Sequence, residues 1–465
     1  MTETRPKAEA DDRPDDRTDA APDPRRIARI LSAAAAGDRE GLSEQLAGLH
    51  PADIADLLEQ ISDADRESFL GLWSGPEVGE VLSELDEGLR EEVITQIDPA
   101  ALTAAVRELD TDDVVDLVED MDAAQRAVIL DALEQPDRYA VEQSLAYPEW
   151  SAGRLMQRDM VTVPAHWTVG QTVDYLREAD DLPEQFYHVT LVDPRMVPVA
   201  NVTLGRILSA PREAPMRQIA EPTFITIPAE HSGEDVAYAF NQYHLISAPV
   251  VDRAGRMVGV ITIDDAMSVL SDENEEDMLL LAGVSSEGSV TDTVLETVRA
   301  RMPWLAVNLC TAILAASVIA QFEDAIEQVV ALAVLMPIVA SMGGNAGTQS
   351  LAVAVRALAT RDLTAANVFR VVRREALVGL SNGFVFAAVM GLVAGVWFGS
   401  PWIGGVLAAA MVVNLLGAGL AGILVPLTLN RLKLDPALAS GTFVTTVTDV
   451  VGFLAFLGLA SLALT

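Results

Sequence analysis

Long hydrophobic stretches fill the C-terminal part of the chain, whereas the preceding part alternates polar and hydrophobic residues over short distances. A helix that crosses a membrane needs about 20 apolar residues. Four stretches carry no charged residue or a single one, and Gly399-Ser400-Pro401 interrupts the longest of them. The pattern therefore predicts five transmembrane helices within residues 301–465. The stretches are 302–322, 328–355, 376–430 and 436–465.

Residues 25–146 show the three- and four-residue hydrophobic spacing of short amphipathic helices. Leu57 and Leu58 follow Pro51, for example, and proline is favoured at the first position of a helix. Successive short helices with acidic outer faces predict an all-α superhelical N-domain. Residues 1–24 contain almost no large hydrophobic residue, which is typical of a disordered tail.

An internal repeat follows, in which short β-type runs alternate with helical patterns. Residues 161–165 (VTVPA) match 225–229 (ITIPA) at an offset of 64, and 192–193 match 251–252 at an offset of 59. Two copies of one βαββα unit are therefore expected. The repeat resembles a tandem CBS module, an α+β domain, which we assign to residues 147–270.

The resemblance to CBS modules implies a possible ligand. In that family the residues matching Thr262 and Asp265 can hold the ribose of an adenine nucleotide such as ATP. The first copy has Gly205 at the position that corresponds to this acid. At most one good nucleotide site is therefore expected, and a structural module without a ligand is the alternative.

The negative charge of the chain lies outside the predicted membrane region. The formal net charge is −37, and residues 1–301 hold 24 basic and 61 acidic residues. Such a surface repels nucleic acid and attracts cations, which argues against nucleic-acid binding. The single cysteine, Cys310, excludes disulfides within the chain.

Basic residues between the predicted spans indicate the orientation. The loops 323–327 and 399–405 contain no basic residue, whereas the loops on the other side are rich in them. The positive-inside rule therefore predicts a multi-pass protein of the cell membrane, with residues 1–301 in the cytoplasm and the C-terminus outside. The basic loop residues are Arg356, Arg361, Arg370, Arg373, Arg374, Arg431 and Lys433.

Asp449 is the one charged residue in the last predicted span, and no span contains a Lys, Arg or His that could pair with it. A carboxylate near the middle of a span is costly and usually marks an ion pathway. Helical spacing places Thr442, Thr445 and Thr446 near the face of Asp449, which gives a row of oxygen atoms. The row predicts a site for a hard cation, and helix packing through polar groups is the alternative.

The second predicted span contains a run of small and polar residues after Pro337, at 343–349 (GGNAGTQ). Proline removes a backbone donor and glycine loosens a helix, so we expect free carbonyl groups that line a watery cavity. Close packing through small residues is the competing explanation. Asn345 and Gln349 are four residues apart, hence on one face, and favour the cavity.

Residues 271–300 connect the repeat to the first span. Five carboxylates occur within 271–277. A charge run is usually a solvated helix face. Its place directly before the membrane also fits a connecting helix that transmits a regulatory signal to the pore.

Taken together, these features resemble the MgtE-type magnesium channel family over nearly all of residues 25–465. Trp150 stands where the family commonly has an acid, which weakens a ligand role at that junction. The motifs that carry the resemblance are 147–156 (YPEWSAGRLM), 343–349 (GGNAGTQ) with 356–358 (RAL), 435–440 (DPALAS) and 445–449 (TTVTD).

The resemblance implies a homodimer in the lipid bilayer that imports Mg²⁺ through a pore on its two-fold axis. It also implies that cytosolic Mg²⁺ binds between acidic regions and closes the pore. The positions expected at the pore are Asp449, Thr445, Thr446, Gly343, Gly344, Asn345 and Gln349. The positions expected to bind regulatory Mg²⁺ are Asp265, Glu273, Glu276, Asp277 and Asp435, with Asp112 and Asp113 in the N-domain.

The sequence also leaves open transport of other divalent ions and a sensor function, and it argues against an enzyme. The sequence does not indicate whether the protein also transports Mn²⁺ or Co²⁺. A membrane-anchored CBS sensor of nucleotides or ions that conducts nothing is the alternative function, although a pure anchor has no need of Asp449. Catalysis is not expected, because the five histidines show neither metal-ligand spacing nor a nucleophile partner.

Overall fold

The chain forms two compact units, one ending at Val269 and one beginning at Leu270. The predicted disordered tail lies outside the described residues apart from Pro24, which begins the first helix. The computed structural model describes residues 24–464 except 74–76, 98, 108, 120, 122, 180–181, 184, 285–293 and 365.

The first unit opens with short helices, as the hydrophobic spacing predicts. Side chains at several helix starts accept hydrogen bonds from N–H groups of the first turn, including those of Asp38, Ser62 and Asp86. The helices described before the first strand are α1 (Pro24–Ala36), α2 (Arg39–Leu46), α3 (Pro51–Gln60), α4 (Asp63–Leu70), α5 (Val78–Glu84), α6 (Glu87–Gln96), α7 (Pro99–Val106), α8 (Thr111–Glu119), α9 (Ala123–Ala132) and α10 (Gln135–Ser144).

Arginines join consecutive helices of this N-domain. Arg66, the fourth residue of α4, donates to the carbonyl groups of Leu58 and Ile61 at the end of α3. Arg126, the fourth residue of α9, donates in the same way at the end of α8, to the carbonyl of Val118. Because the last carbonyls of a helix lack partners inside it, these arginines satisfy groups that the stacking would otherwise leave unpaired.

The rest of the first unit contains the predicted repeat, and each copy folds as strand, helix, strand, strand, helix. The first copy comprises β1 (Thr162–Pro164), α11 (Val169–Glu178), β2 (His188–Val192), β3 (Pro198–Thr203) and α12 (Leu204–Ser209). The second comprises β4 (Ile227–Pro228), α13 (Gly233–Tyr243), β5 (Ser247–Val251), β6 (Met257–Thr262) and α14 (Ile263–Ala282), which continues into the second unit.

The two sheets of the repeat have the same topology. β1 pairs parallel with β2, which pairs antiparallel with β3, and β4, β5 and β6 repeat these pairings. Both antiparallel pairs have a register irregularity at the same place, Leu191/Val192 and Val250/Val251. The shared irregularity confirms the βαββα repeat, because such features are specific to a family of related strands.

The second unit is helical, and five of its described helices are long and apolar enough to cross a membrane. This confirms the predicted number of spans. The short helix α16 lies between the first and second spans. The helices that follow α14 are α15 (Val294–Ala320), α16 (Glu323–Gln328), α17 (Ala331–Ala359), α18 (Val368–Trp397), α19 (Pro401–Arg431) and α20 (Pro436–Leu464).

Among the described spans, α19 is the most buried, and α17, α18 and α20 pack against it. Glycines permit the close approach. A Cβ atom at Gly379 of α18 would lie 2.6 Å from the carbonyl oxygen of Leu415, and one at Gly422 of α19 would lie 2.6 Å from that of Gly347. The helices therefore cross through small residues, as membrane helices commonly do.

Two expectations about the spans are wrong. The third charge-free stretch begins at Ala376, but α18 begins at Val368 and includes three arginines in its first turns. Arginine side chains can extend to the membrane surface, so such charges do not end a span. The glycine run 343–349 does not loosen α17, which is helical throughout, because unpaired backbone groups are too costly in a bilayer.

Candidate functional site

Asp449 lies at the middle of α20 and is half-buried. Among the described residues it has no ion pair and no hydrogen bond to a neighbouring side chain. A carboxylate that is partly exposed inside a membrane unit and has no protein partner has room for a cation or for water. Within the described residues, the Asp449 carboxylate is therefore available to a cation or to water.

Threonine hydroxyls on the same side of α20 add oxygen atoms. Thr445 donates its hydroxyl hydrogen to the carbonyls of Gly441 and Thr442, each at 3.0 Å. Thr446 donates to the carbonyl of Thr442 at 2.6 Å. Since each hydrogen is used within the helix, the hydroxyl oxygens keep lone pairs for a partner outside it. Together with Asp449 they form an acceptor row on a partly exposed face.

The glycine run of α17 packs against α20 and α19. A Cβ atom at Gly347 would lie 2.7 Å from Cγ1 of Val444 and 3.2 Å from Cγ2 of Thr448. One at Gly343 would lie 2.5 Å from Nδ2 of Asn414. Gly343 and Gly347 are thus required for close packing, which is the competing explanation that the sequence left open.

The polar members of the run have a different environment. Asn345 and Gln349 are both exposed. Gly344 approaches α20 loosely, because a Cβ atom there would meet Cγ2 of Thr445 at 3.9 Å. The hydroxyl of Thr348 donates to the carbonyls of Gly344 and Asn345 at 3.1 and 3.0 Å. The run therefore has a packed face and a polar, exposed face.

Sequence reasoning missed Asn414, which is fully buried in α19. Its Nδ2 donates to the carbonyl oxygen of Val339 in α17 at 2.7 Å, and its Oδ1 has no hydrogen-bond partner among the described atoms. A Cβ atom at Gly452 of α20 would lie 3.0 Å from this Oδ1. Asn414 thus joins three helices. A lone asparagine within a long apolar span was the signal that could have found it.

Glu375 was also missed, because it borders a charge-free stretch and resembled a loop residue. It is buried in α18, and Oε2 accepts a hydrogen bond of 3.1 Å from the hydroxyl of Ser350, which is also buried. The spacing of glycines could have predicted this burial, because Gly379 and Gly383 follow Glu375 at four-residue intervals on the same helix face. Both glycines are also buried. Glu375 lies on the packed face of the helix.

The first unit contains the second group of predicted residues, at the starts of two helices. Asp112 and Asp113 lie in the first turn of α8, and Asp265 lies in the first turn of α14. The side chains of Asp112 and Asp265 are within hydrogen-bonding reach of each other. Oδ1 of Asp112 is buried and has no hydrogen-bond partner among the described atoms. We refer to Asp112, Asp113 and Asp265 as the acidic cluster.

Burial and mutual repulsion change the acidity of this cluster. Burial, followed by repulsion from Asp265 and neighbouring acids, raises the pKa of Asp112 well above its ordinary value. Burial and repulsion from Asp110 raise the pKa of Asp113 to about 7. Burial raises the pKa of Asp265 to about 6, although hydrogen bonds from Thr262 oppose the change. Each carboxylate therefore gains from a proton or a cation that neutralises the others.

The same contacts bear on the predicted nucleotide site. Oδ2 of Asp265 accepts hydrogen bonds from the hydroxyl and the backbone N–H of Thr262, at 2.7 and 3.2 Å. Thr262 is buried. Oδ2 of Asp265 is therefore already engaged by Thr262, and Asp265 also lies within hydrogen-bonding reach of Asp112.

The remaining regulatory positions lie on α14 and at the start of α20. Glu273, Glu276 and Asp277 lie on α14, and Asp265 precedes Glu276 by 11 residues, about 16 Å along a helix. Asp435 caps the start of α20, where Oδ1 accepts a hydrogen bond of 2.6 Å from the N–H of Ala437. Within the described residues no three Asp, Glu, His or Cys side chains are arranged to hold a metal ion.

The end of α14 packs directly against the spans of the second unit. Leu280 is buried with Leu351 and Val355 of α17 and Val444 of α20. The backbone oxygen of Leu281 lies 3.5 Å from the position of a Cβ atom at Gly441. The helix that carries the acidic run therefore contacts the helices of the glycine run and of Asp449.

Family models match three parts of the chain. A model described as a divalent cation transporter, MgtE, matches residues 336–459, which include the glycine run and Asp449. A model of the MgtE intracellular N domain matches residues 49–150, and a CBS domain model matches residues 216–272. The magnesium transporter MgtE of Thermus thermophilus is 34% identical over 438 residues, which cover 92% of this chain and 96% of that protein. The chain belongs to the MgtE family.

A second MgtE protein agrees with this assignment. The magnesium transporter MgtE of Enterococcus faecalis is 33% identical over 322 residues, covering 69% of this chain and 71% of that protein. A solved cytosolic domain of the Mg²⁺ channel MgtE in complex with ATP is 29% identical, with a TM-score of 0.49, and the match covers 52% of this chain and 99% of that one. As a member of the MgtE family, the chain is a multi-pass membrane protein for magnesium transport and not an enzyme.

Proposed function

We propose that the chain is a Mg²⁺ channel that works as a homodimer, with Asp449 of both subunits at a pore on the two-fold axis. The observation that carries this proposal is the half-buried Asp449, without an ion pair among the described residues, on a face that also bears Thr445 and Thr446. In one subunit this face is incomplete as an ion site. A second copy of it would supply the facing carboxylate.

The chemistry of Mg²⁺ suits such a pore. This ion gives up its water reluctantly and is usually held by one or two carboxylates together with retained waters. Two facing Asp449 carboxylates would hold a hydrated ion, and the threonine oxygens would accept hydrogen bonds from its water molecules. Binding by few direct ligands also lets the ion leave, as conduction requires. Asn345 and Gln349 would contact the same water shell from α17.

The test of permeation is the substitution Asp449→Asn, which keeps the shape of the side chain and removes its charge. We expect Mg²⁺ flux into vesicles that contain the purified protein to fall by at least about 100-fold, because removing both charges leaves the ion without a charged ligand. Asp324→Asn, an exposed acid of α16, is the matched control and should transport normally. Wild-type flux in Asp449→Asn would exclude this pore.

The proposed orientation places the N-domain and the CBS module in the cytoplasm and the C-terminus outside. It rests on the basic residues between the second and third spans and after the fourth span, among them Arg356, Arg374 and Arg431. We infer that the channel imports Mg²⁺, because the negative interior of a cell draws cations inward through an open pore.

We infer that cytosolic Mg²⁺ closes the pore by binding between acidic regions. The acidic cluster supports this inference, since its buried and mutually repelling carboxylates favour the compact arrangement once a cation neutralises them. A hydrated Mg²⁺ needs only one or two carboxylates, so the cluster does not need three converging ligands. The packing of Leu280 against the spans gives α14 a direct connection to the pore helices.

Neutralising acids on α14 tests this gating. The double substitution Glu276→Gln/Asp277→Asn should give a channel whose Mg²⁺ flux no longer falls when Mg²⁺ inside the vesicle is raised. Glu178→Gln/Glu213→Gln removes the same charge from exposed positions of the first CBS copy and should keep the inhibition. If both variants are inhibited like the wild type, the acids of α14 only decorate a solvated face.

ATP binding at the second CBS copy remains a separate prediction. Thr262 and Asp265 are present, but they bond to each other, and Asp265 also faces Asp112. We therefore expect ATP and Mg²⁺ to compete at Asp265. Calorimetric titration of the full-length protein with ATP, with and without Mg²⁺ saturation, measures this competition.

A further inference from the structure

The outward face of α18 carries three arginines that neither the pore nor the gating uses. The opposite face of this helix packs against α19 through Glu375, Gly379 and Gly383. The arginines therefore lie on a side of α18 that no described residue of the second unit covers. They are Arg370, Arg373 and Arg374, and all three are exposed.

These arginines line a shallow, open concavity of about 760 Å³ whose lining residues all lie on α18, and which we call the groove. Below them along α18, in the direction of the predicted membrane interior, the groove is lined by Leu377 and Val378, which are 53% and 43% exposed. Asn382 follows, eight residues after Arg374 and thus roughly 12 Å further along the helix. The groove is basic at one end, apolar in the middle and carries an amide at its lower end.

None of the three arginines forms an ion pair with an acid of the described residues. The positive-inside rule accounts for basic residues at this end of the helix, but it does not require them to share one face. Spacings of three and four residues put Arg370, Arg373 and Arg374 together on that face. Three unpaired guanidinium groups side by side repel one another, so an anion among them would be stabilising.

We propose that this groove binds the headgroup of an anionic phospholipid of the cytoplasmic leaflet. Guanidinium groups form paired hydrogen bonds with phosphate, and basic sites on the cytoplasmic side of membrane helices are suited to acidic lipid headgroups. The acyl chains lie along Leu377 and Val378.

The apolar half of the groove favours a lipid over a free phosphate ion or a second copy of the chain. A free phosphate ion would contact only the arginines and would leave Leu377 and Val378 exposed. A second copy of the chain that met this groove with its own spans would have to bring acids to the arginines, and acids are scarce in the spans. A molecule with an anionic head and hydrophobic tails matches both halves of the groove.

Native mass spectrometry of the full-length protein tests the proposal, in detergent with phosphatidylcholine or with phosphatidylglycerol. We expect the wild type to retain phosphatidylglycerol in preference to phosphatidylcholine. Arg370→Gln/Arg374→Gln should weaken this retention roughly thirtyfold, because each arginine near an anionic surface contributes substantially to binding. Arg299→Gln/Arg301→Gln removes two exposed arginines at the start of the first span, on α15 and not on α18, and should leave the retention unchanged.

The other outcomes are also decisive. Equal retention of the two lipids by the wild type, or equal loss in both double variants, overturns the proposal. A change of oligomeric state in Arg370→Gln/Arg374→Gln without loss of lipid assigns the face to contact between copies and also overturns it. If that variant does not fold, Arg370→Lys/Arg374→Lys keeps both charges and replaces the paired donors by single ones, so weaker retention supports the proposal and unchanged preference contradicts it. Lipid retention is read independently of Mg²⁺ flux.

Discussion

Asp449 and Asp112 both lack an ion pair among the described residues, but their surroundings differ. Asp449 is the one acid of its span and is held by helices that cross through glycine. Asp112 lies among other acids at the meeting of two helix starts, where burial and repulsion raise the pKa values of the group. Helix packing fixes the position of Asp449. Asp112, in contrast, is repelled by neighbouring carboxylates, and a bound cation would reduce that repulsion.

This difference separates permeation from regulation in physical terms. A permeation site has to keep its geometry with or without an ion, and close-packed helices provide that stability. A regulatory site has to change with the ion, so its empty state must be the less stable one. Substitutions that disturb packing should therefore reduce the stability and the Mg²⁺ flux of the membrane unit. Changes of charge or pH should instead alter the stability of the first unit.

The largest effect is expected from Gly422→Ala on α19. A Cβ atom there would lie 2.6 Å from the carbonyl oxygen of Gly347 and 2.9 Å from the backbone nitrogen of Leu351. Backbone atoms cannot turn aside, so α17 must move away, at a cost at the upper end of about 1–3 kcal/mol. We expect a lower unfolding temperature in detergent and strongly reduced Mg²⁺ flux.

Gly405→Ala on the same helix is the control for Gly422→Ala. Nothing lies within 4 Å of a Cβ atom at Gly405, and alanine favours a helix over glycine by about 0.5–1 kcal/mol. This variant should transport normally and be no less stable than the wild type. Equal behaviour of the two variants would mean that the α17–α19 contact does not hold the pore.

The next effect is a dependence of stability on pH in the first unit, measured without divalent ions. Folding raises the pKa of Asp113 to about 7 and that of Asp265 to about 6, from ordinary values near 4. The folded form therefore holds protons that the unfolded form has released, and stability falls as the pH rises from about 4 to about 7. Thermal unfolding of the full-length protein in a chelator should show a transition lowered by a few degrees across this window.

Asp112→Asn sharpens this pH prediction. The substitution removes a buried carboxylate that Asp265, Asp113 and Asp110 repel, so the transition should depend less on pH and should rise at pH 8. Added Mg²⁺ should stabilise the wild type at pH 8 more than the variant. If the unfolding temperature of Asp112→Asn depends on pH as that of the wild type does, repulsion within the acidic cluster does not determine the stability of the first unit.

Regular patterns of the sequence predicted much of this molecule. The offsets of the repeat predicted two sheets with one topology, and the charge-free stretches predicted five spans. Asp449 was found because one charge in an apolar segment is conspicuous. In each case the signal lies within one segment, so no knowledge of neighbouring helices was needed.

Features that depend on contact between segments were not predictable. Asn414 and Glu375 are neutral or peripheral in the sequence, and their burial follows from the crossings of α17, α18 and α19. The uninterrupted α17 also depends on its neighbours, which pack against Gly343 and Gly347. Proximity of Asp112 and Asp265, 153 positions apart, required the fold of the first unit.

The smallest effect is expected from Asn414→Leu, which nearly keeps the volume of the side chain and removes its amide. The variant loses the hydrogen bond of 2.7 Å to the carbonyl of Val339, and hydrogen bonds between membrane helices contribute about 0.6 kcal/mol on average. Loss of the unpaired Oδ1 partly offsets this cost, because an unsatisfied buried oxygen is itself unfavourable. Thermal unfolding should therefore shift by a degree or two at most, as in the exposed control Asn308→Leu, while Mg²⁺ flux stays near wild type. A large loss of flux without loss of stability would instead show that Oδ1 holds a water molecule of the ion pathway, and would extend the permeation site from α20 to α19.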